Sequence, residues 1–186
     1  MDVLPKTRIG NKHWLVLGES LQVPPGDYVL TYEILDGSGT SGSATQALNI
    51  RDFIEPKLDL SDVLVVRAHR NKVNPPKSTD DYALLANPEA RWFGKHLPIY
   101  FEVYGLTTDD RGRSRCEMTM EVHSNGIWRA IESERRTFEG PRAAIGWRIH
   151  KRASAQETLR LTIEDIESGE TVSRAVRAVA SAHRAY

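Results

Sequence analysis

The sequence predicts an all-β chain: an immunoglobulin-like antiparallel β-sandwich in two related units, the first incomplete. Three observations carry that prediction. Short runs of period-two alternation recur along the 186 residues with turn signals between them, the rhythm of a sandwich rather than of strand–helix–strand units. The clearest run sets Ile99, Phe101 and Val103 on one face and Tyr100, Glu102 and Tyr104 on the other. A hairpin pattern also recurs: residues 30–36 followed by Ser38-Gly39 are echoed by residues 161–167 followed by Ser168-Gly169, as expected of two related modules.

The elements follow in order. Residues 14–17 are a short apolar run, and Pro24-Pro25-Gly26-Asp27 makes a turn, proline presetting one backbone angle and glycine taking the left-handed one. A strand at 28–35 ends in Asp36-Gly37-Ser38-Gly39, and 44–50 returns. Residues 51–57 form a linker, dividing a partial unit at 1–54 from a sandwich at 55–186. The first unit has too few strands to complete a domain alone. It is either the tail of a truncated module or a part that packs onto the larger sandwich.

A strand at 58–67 has a continuously apolar centre, Val63-Leu64-Val65-Val66, which predicts cover on both faces. Residues 69–81, with Pro75-Pro76, are the longest loop. Beyond the Tyr100 strand, a strand at 115–123 meets Ser124-Asn125-Gly126 and returns over 126–136. Asn-Gly between alternating runs is a strong hairpin signal, because both central residues of a type I′ turn need positive φ. Strands at 143–150, 158–166 and 170–179 complete the set. Val172, Val176, Val179 and His183 also fit helical spacing, so a helical turn is allowed after about Val179.

Composition narrows the function classes. The 25 basic and 25 acidic residues cancel to zero net charge, which argues against a nucleic-acid partner. The arginines of the last third interleave with Glu132, Glu134 and Glu139, as on a solvated mixed face. The single cysteine, Cys116, excludes an internal disulfide and is expected to be a buried, inert thiol. No stretch approaches a membrane span, and the first residues lack a signal peptide's apolar core, so no membrane insertion is expected and the compartment stays open. Met1 is compatible with an excised piece of a longer protein.

No catalytic set emerges. There is no Gly-x-Ser-x-Gly elbow and no His-Glu-x-x-His. Gly37-Ser38-Gly39-Thr40-Ser41-Gly42 links two strands and opens no helix, so it is a hairpin loop rather than a phosphate cradle. The six histidines are scattered, without ligand spacing. Asp59 with Asp62, Asp80 with Asp81, and Asp109 with Asp110 have the chemistry to hold calcium, but solvated turn carboxylates are commoner. No cofactor and no metal are expected.

The candidate ligand site lies in the aromatic segment before and along the Tyr100 strand: Arg91, Trp92, Phe93, His96, Tyr100 and Tyr104. Trp92 and Phe93 could form a platform stacking on a sugar's C–H face, with Arg91, Lys95 and His96 taking its hydroxyls, or could plug one end of the core. Tyr100 and Tyr104 share a face that either covers a second sheet or forms an exposed stripe for a partner. Trp14, Trp128 and Trp147, inside alternating strands, are expected in the core.

A family resemblance rests on motifs in order. Pro24-Pro25-Gly26-Asp27-Tyr28, Leu60-Ser61-Asp62, Asn87-Pro88 followed by Phe93, and Tyr100-Phe101-Glu102-Val103-Tyr104-Gly105-Leu106 resemble the C-terminal β-rich region of bacterial GWxTD-domain proteins. The match covers roughly residues 15–106. The namesake motif is absent, since Gly146-Trp147 is followed by Arg148-Ile149-His150. The resemblance implies an exported protein of the periplasm or cell surface, with no assigned enzymatic activity, and it carries over no site residues. Together these features lead to a non-enzymatic interaction or structural module contacting another protein or an upstream domain of the same polypeptide. The alternative is a carbohydrate-binding module, with a glycan as partner.

Overall fold

The computed structural model describes residues 7–9, 12–14, 23–35, 37–53, 57–66, 90–92, 95–150 and 157–180. The predicted long loop at 69–81, Trp14's onward run and Phe93 therefore lie outside the described residues. The chain divides into two units, Ser20–Glu55 and Met1–Glu19 with Pro56–Tyr186. Among the described residues there is no helix, and so none long and apolar enough to cross a membrane.

The larger unit holds two antiparallel-based sheets around one core. It comprises β1 (Thr7–Ile9), β2 (Lys12–Trp14), β5 (Asp59–Leu60), β6 (Leu64–Val65), β7 (Arg91–Trp92), β8 (His96–Tyr104), β9 (Arg113–Ser124), β10 (Ile127–Glu139), β11 (Ala143–His150), β12 (Glu157–Asp165) and β13 (Thr171–Ala180). One sheet runs β10-β9-β12-β13-β7, and the other β11-β8-β5, with β6 also on β8; β1 and β2 pair separately. Period-two alternation decides what faces inward. Leu97, Ile99, Phe101 and Val103 of β8 are fully buried, against Cys116, Met118 and Met120 of β9 and Leu159, Leu161 and Ile163 of β12. Each such side chain contributes roughly 1.5–3 kcal/mol by leaving water.

Turn chemistry sets the registers. Asn125 (φ 53°) and Gly126 (φ 78°) take the positive angles expected, and Ser124 pairs with Ile127 across them. Gly105 (φ 70°) ends β8 where a Cβ would lie 2.2 Å from the Lys57 carbonyl oxygen, so only glycine fits. Asp165 is buried at the turn after β12. It accepts from the Thr107 N–H at 2.8 Å, the Ser168 hydroxyl at 2.8 Å and the Glu167 N–H at 3.1 Å, tying two loops together.

The strand expected over 58–67 is instead two short pieces. Between β5 and β6, Ser61 donates its N–H to the Glu102 carbonyl and accepts the Glu102 N–H on its hydroxyl, so a side chain replaces a ladder partner. Val65 and Val66 are buried, but Leu64 is 46% exposed, contrary to cover on both faces. The C-terminal segment is a strand through Ala180, paired with β12 as far as Ala178 and with β7 at Val179 and Ala180; the helical turn allowed after it falls on 181–186, outside the described residues.

The smaller unit contributes a two-stranded sheet of its own. β3 (Gly26–Leu35) and β4 (Ser41–Ile50) pair over all ten positions without a bulge. Tyr28 donates its hydroxyl to the Pro24 carbonyl, closing the predicted turn, and Asn49 donates to Asp27 at 2.7 Å.

Candidate interaction surfaces

The six predicted ligand residues do not all share one sheet. Arg91 and Trp92 form β7, which pairs in parallel with β13 at the rim of the five-stranded sheet. His96, Tyr100 and Tyr104 lie on the outward face of β8 in the other sheet. His96 faces His150 across the β8–β11 pair, ring centroids 4.9 Å apart and near perpendicular. Its pKa is held below the usual imidazole value by partial burial, then by the Arg148 and His150 charges.

Tyr100 is only 3% exposed, so it is no open stacking platform. Between the two tyrosines sits a buried carboxylate that the sequence reading left unassigned. Glu102 accepts from the Tyr100 hydroxyl at 2.7 Å, the Tyr104 hydroxyl at 2.5 Å and the Arg142 guanidinium at 2.6 Å. Arg142 also stacks over the Tyr104 ring at 4.8 Å. A tyrosine two residues either side of a glutamate on one strand face was the available signal, since such residues are same-face neighbours. These three donors fix the Glu102 side chain between the two tyrosines on the outer face of the sheet.

The outer face of the five-stranded sheet is polar and internally paired. Trp128 lies here rather than in the core, because the Asn125-Gly126 turn sets it opposite outward-facing His123. Arg160 stacks over its ring at 4.3 Å and binds Glu121 through two nitrogens, at 2.7 and 3.0 Å. That bond, opposed by partial desolvation, holds the Glu121 carboxyl below its usual range. Hydroxyls of Ser133 and Thr119 meet at 3.3 Å, and those of Thr162 and Ser173 at 2.9 Å. Trp147, by contrast, is buried as expected. Cys116 is also buried, which pushes its thiol up to about 11, outside the reactive range at neutral pH.

Of the paired aspartates, Asp109 accepts the backbone N–H groups of Arg111 and Arg113 and pairs with the Arg113 guanidinium at 3.1 Å, which is the geometry of a turn carboxylate. Asp59 pairs with Arg174 at 2.8 Å. Among the described residues no three His, Cys, Asp or Glu side chains group as metal ligands.

Sheet edges behave differently in the two units. Beyond a bulge at Ile131, the inward positions of edge strand β10 carry Glu132, Glu134 and Arg136. Glu132 accepts the His150 N–H of β11 at 2.5 Å, and Arg136 donates to the Gly146 carbonyl at 3.3 Å. Side chains thus cap the backbone groups that β11 leaves unpaired. On the opposite flank, the Arg174–Asp59 pair joins β13 to β5. β4 has no such device: its ten residues include no charge and no proline, its ladder has no bulge, and no third strand pairs with it among the described residues. Apolar side chains of the hairpin lie open, with Val29 71%, Tyr32 48%, Ile34 53% and Leu35 72% exposed.

Compared with known proteins, the chain matches no family model and no curated protein.

Proposed function

We propose that this chain is a non-enzymatic interaction module that engages a protein, or another domain of its own polypeptide, by strand addition at the β3–β4 hairpin. The observation that carries the reading is the uncharged edge of β4, which no third strand pairs among the described residues, beside exposed apolar side chains. Natural sheets blunt such edges with charges, proline, bulges or covering segments, and an edge left open is a template for an added strand. The capped flanks of the larger unit make the contrast sharper. An immunoglobulin-like description also fits this reading, because the orders β10-β9-β12-β13 and β11-β8-β5 correspond to the C′-C-F-G and E-B-A orders of such sandwiches. The resemblance to GWxTD-domain proteins favours a setting for this module in the bacterial envelope, at the periplasm or cell surface.

A photo-crosslinking residue at Gln46 in the producing cell tests this, with one at Arg129 on β10 as control. Adducts at Gln46 and none at Arg129 are expected, together with slowed amide exchange along β4. No adduct at Gln46, or equal adducts at both sites, overturns the reading.

A further inference from the structure

We propose that the strand added to β4 is β4 of a second copy of this chain, so that two hairpins form one four-stranded antiparallel sheet. This rests on the strand-addition reading and names its partner. A strand that pairs with itself must not repel itself. β4 reads Ser41-Gly42-Ser43-Ala44-Thr45-Gln46-Ala47-Leu48-Asn49-Ile50, so no antiparallel register sets like charges opposite, the arrangement that destabilises cross-strand pairs. β3 carries Asp27 and Glu33 and lacks that neutrality. A partner of marked charge would find nothing on β4 to complement.

Side-chain alternation limits the register. A two-fold axis normal to the sheet keeps even and odd positions on their own faces, which leaves registers centred on a residue such as Thr45 or Gln46. With Gln46 opposite its counterpart, Ala44 of one copy falls opposite Leu48 of the other. Leu30, Tyr32 and Ile34 sit on the same face as these residues, by the observed β3–β4 register. The result is one face across four strands, apolar at Ala44, Leu48, Leu30, Tyr32 and Ile34, with the paired Gln46 side chains at its centre. That number matters, because a lone two-stranded ribbon is marginal in water, whereas three or more strands with a hydrophobic face are not.

The test uses the full chain in sedimentation velocity over a wide concentration range. The wild type is expected to pass from 20.9 kDa to twice that mass. The double variant Thr45→Lys with Gln46→Lys, and the matching double variant to Glu, each set like charges across the two-fold. Each should weaken self-association by at least about tenfold, and their equimolar mixture should recover the doubled mass. Both substituted positions are exposed, and circular dichroism confirms that each variant keeps its strand content. A wild type at single mass throughout overturns the proposal, as does a Lys variant that pairs as well as wild type or a mixture that fails to pair. Gln46 adducts to a different protein, with the purified chain at single mass, overturn self-pairing and leave strand addition standing. Absence of any adduct overturns both.

Discussion

In the larger unit the outermost strand points Glu132 and Arg136 inward to cap β11, while in the smaller unit β4 runs ten residues with no charge at all. Both use the same antiparallel ladder and both contain alternating apolar residues. They differ in where the apolar side chains go. β8 buries Leu97, Ile99, Phe101 and Val103 completely, whereas β3 leaves Val29, Ile34 and Leu35 more than half exposed. A closed core needs its edges silenced, because an added strand there gains nothing and risks aggregation. A two-stranded ribbon whose apolar side chains lie exposed gains from every strand it recruits.

The largest expected effect strikes the core. Phe101→Ala removes a fully buried ring and should cost about 3–5 kcal/mol, read as a shift in the urea midpoint. A loss below about 1 kcal/mol would mean that the two sheets do not share one core.

Next comes Asp165, whose burial raises its carboxyl pKa while hydrogen bonds from Thr107, Ser168 and Glu167 lower it further, leaving it below the usual 3.8. Because the folded value is the lower one, this group stabilises the fold above pH 3.8. That contribution disappears as the pH falls through the folded value. Asp165→Asn should cost about 1–3 kcal/mol at neutral pH and remove part of the acid sensitivity below pH 4. Identical acid unfolding curves for variant and wild type would contradict this.

How much of this contrast could be read from the chain depends on range. Asn125-Gly126 announced its turn because the backbone angles are local, and β8 announced its faces because alternation is local. Residues 58–67 did not announce their break, since it depends on Ser61 meeting Glu102 far along the chain. The alternating surroundings of Trp128 predict a core position; the register fixed by the turn puts it outside. Alternation sets Tyr100 and Tyr104 on one face, but nothing local announces that Glu102 between them gathers both hydroxyls and Arg142. The candidate residues Arg91 and Trp92 fell on the other sheet for the same reason: pairing with β13 is a long-range event with no local signature. Edge capping by Glu132 and Arg136 is equally tertiary, and in sequence it looked like a solvated mixed face.

That capping predicts a third, smaller effect. Glu132→Ala combined with Arg136→Ala uncovers the His150 N–H and Gly146 carbonyl and should cost about 1–2 kcal/mol. The informative readout is light scattering, because β11 would become an open edge and the protein should associate at concentrations where wild type does not. A variant that loses stability without associating would show that these side chains serve packing, not edge protection.

The smallest expected effect is in the hairpin. Ile34 is 53% exposed, so Ile34→Ser should change global stability by no more than about 0.5 kcal/mol, as for surface substitutions generally. The same substitution should lower binding of a hydrophobic dye, since it removes part of an open apolar surface. Measured at low concentration, this pairs directly with Phe101→Ala: two alternating strands, two apolar residues, and costs that differ several-fold because Phe101 is buried and Ile34 is exposed. If Ile34→Ser destabilises as much as the core truncation, the hairpin face is buried in the folded protein, and its role as a docking edge fails with it.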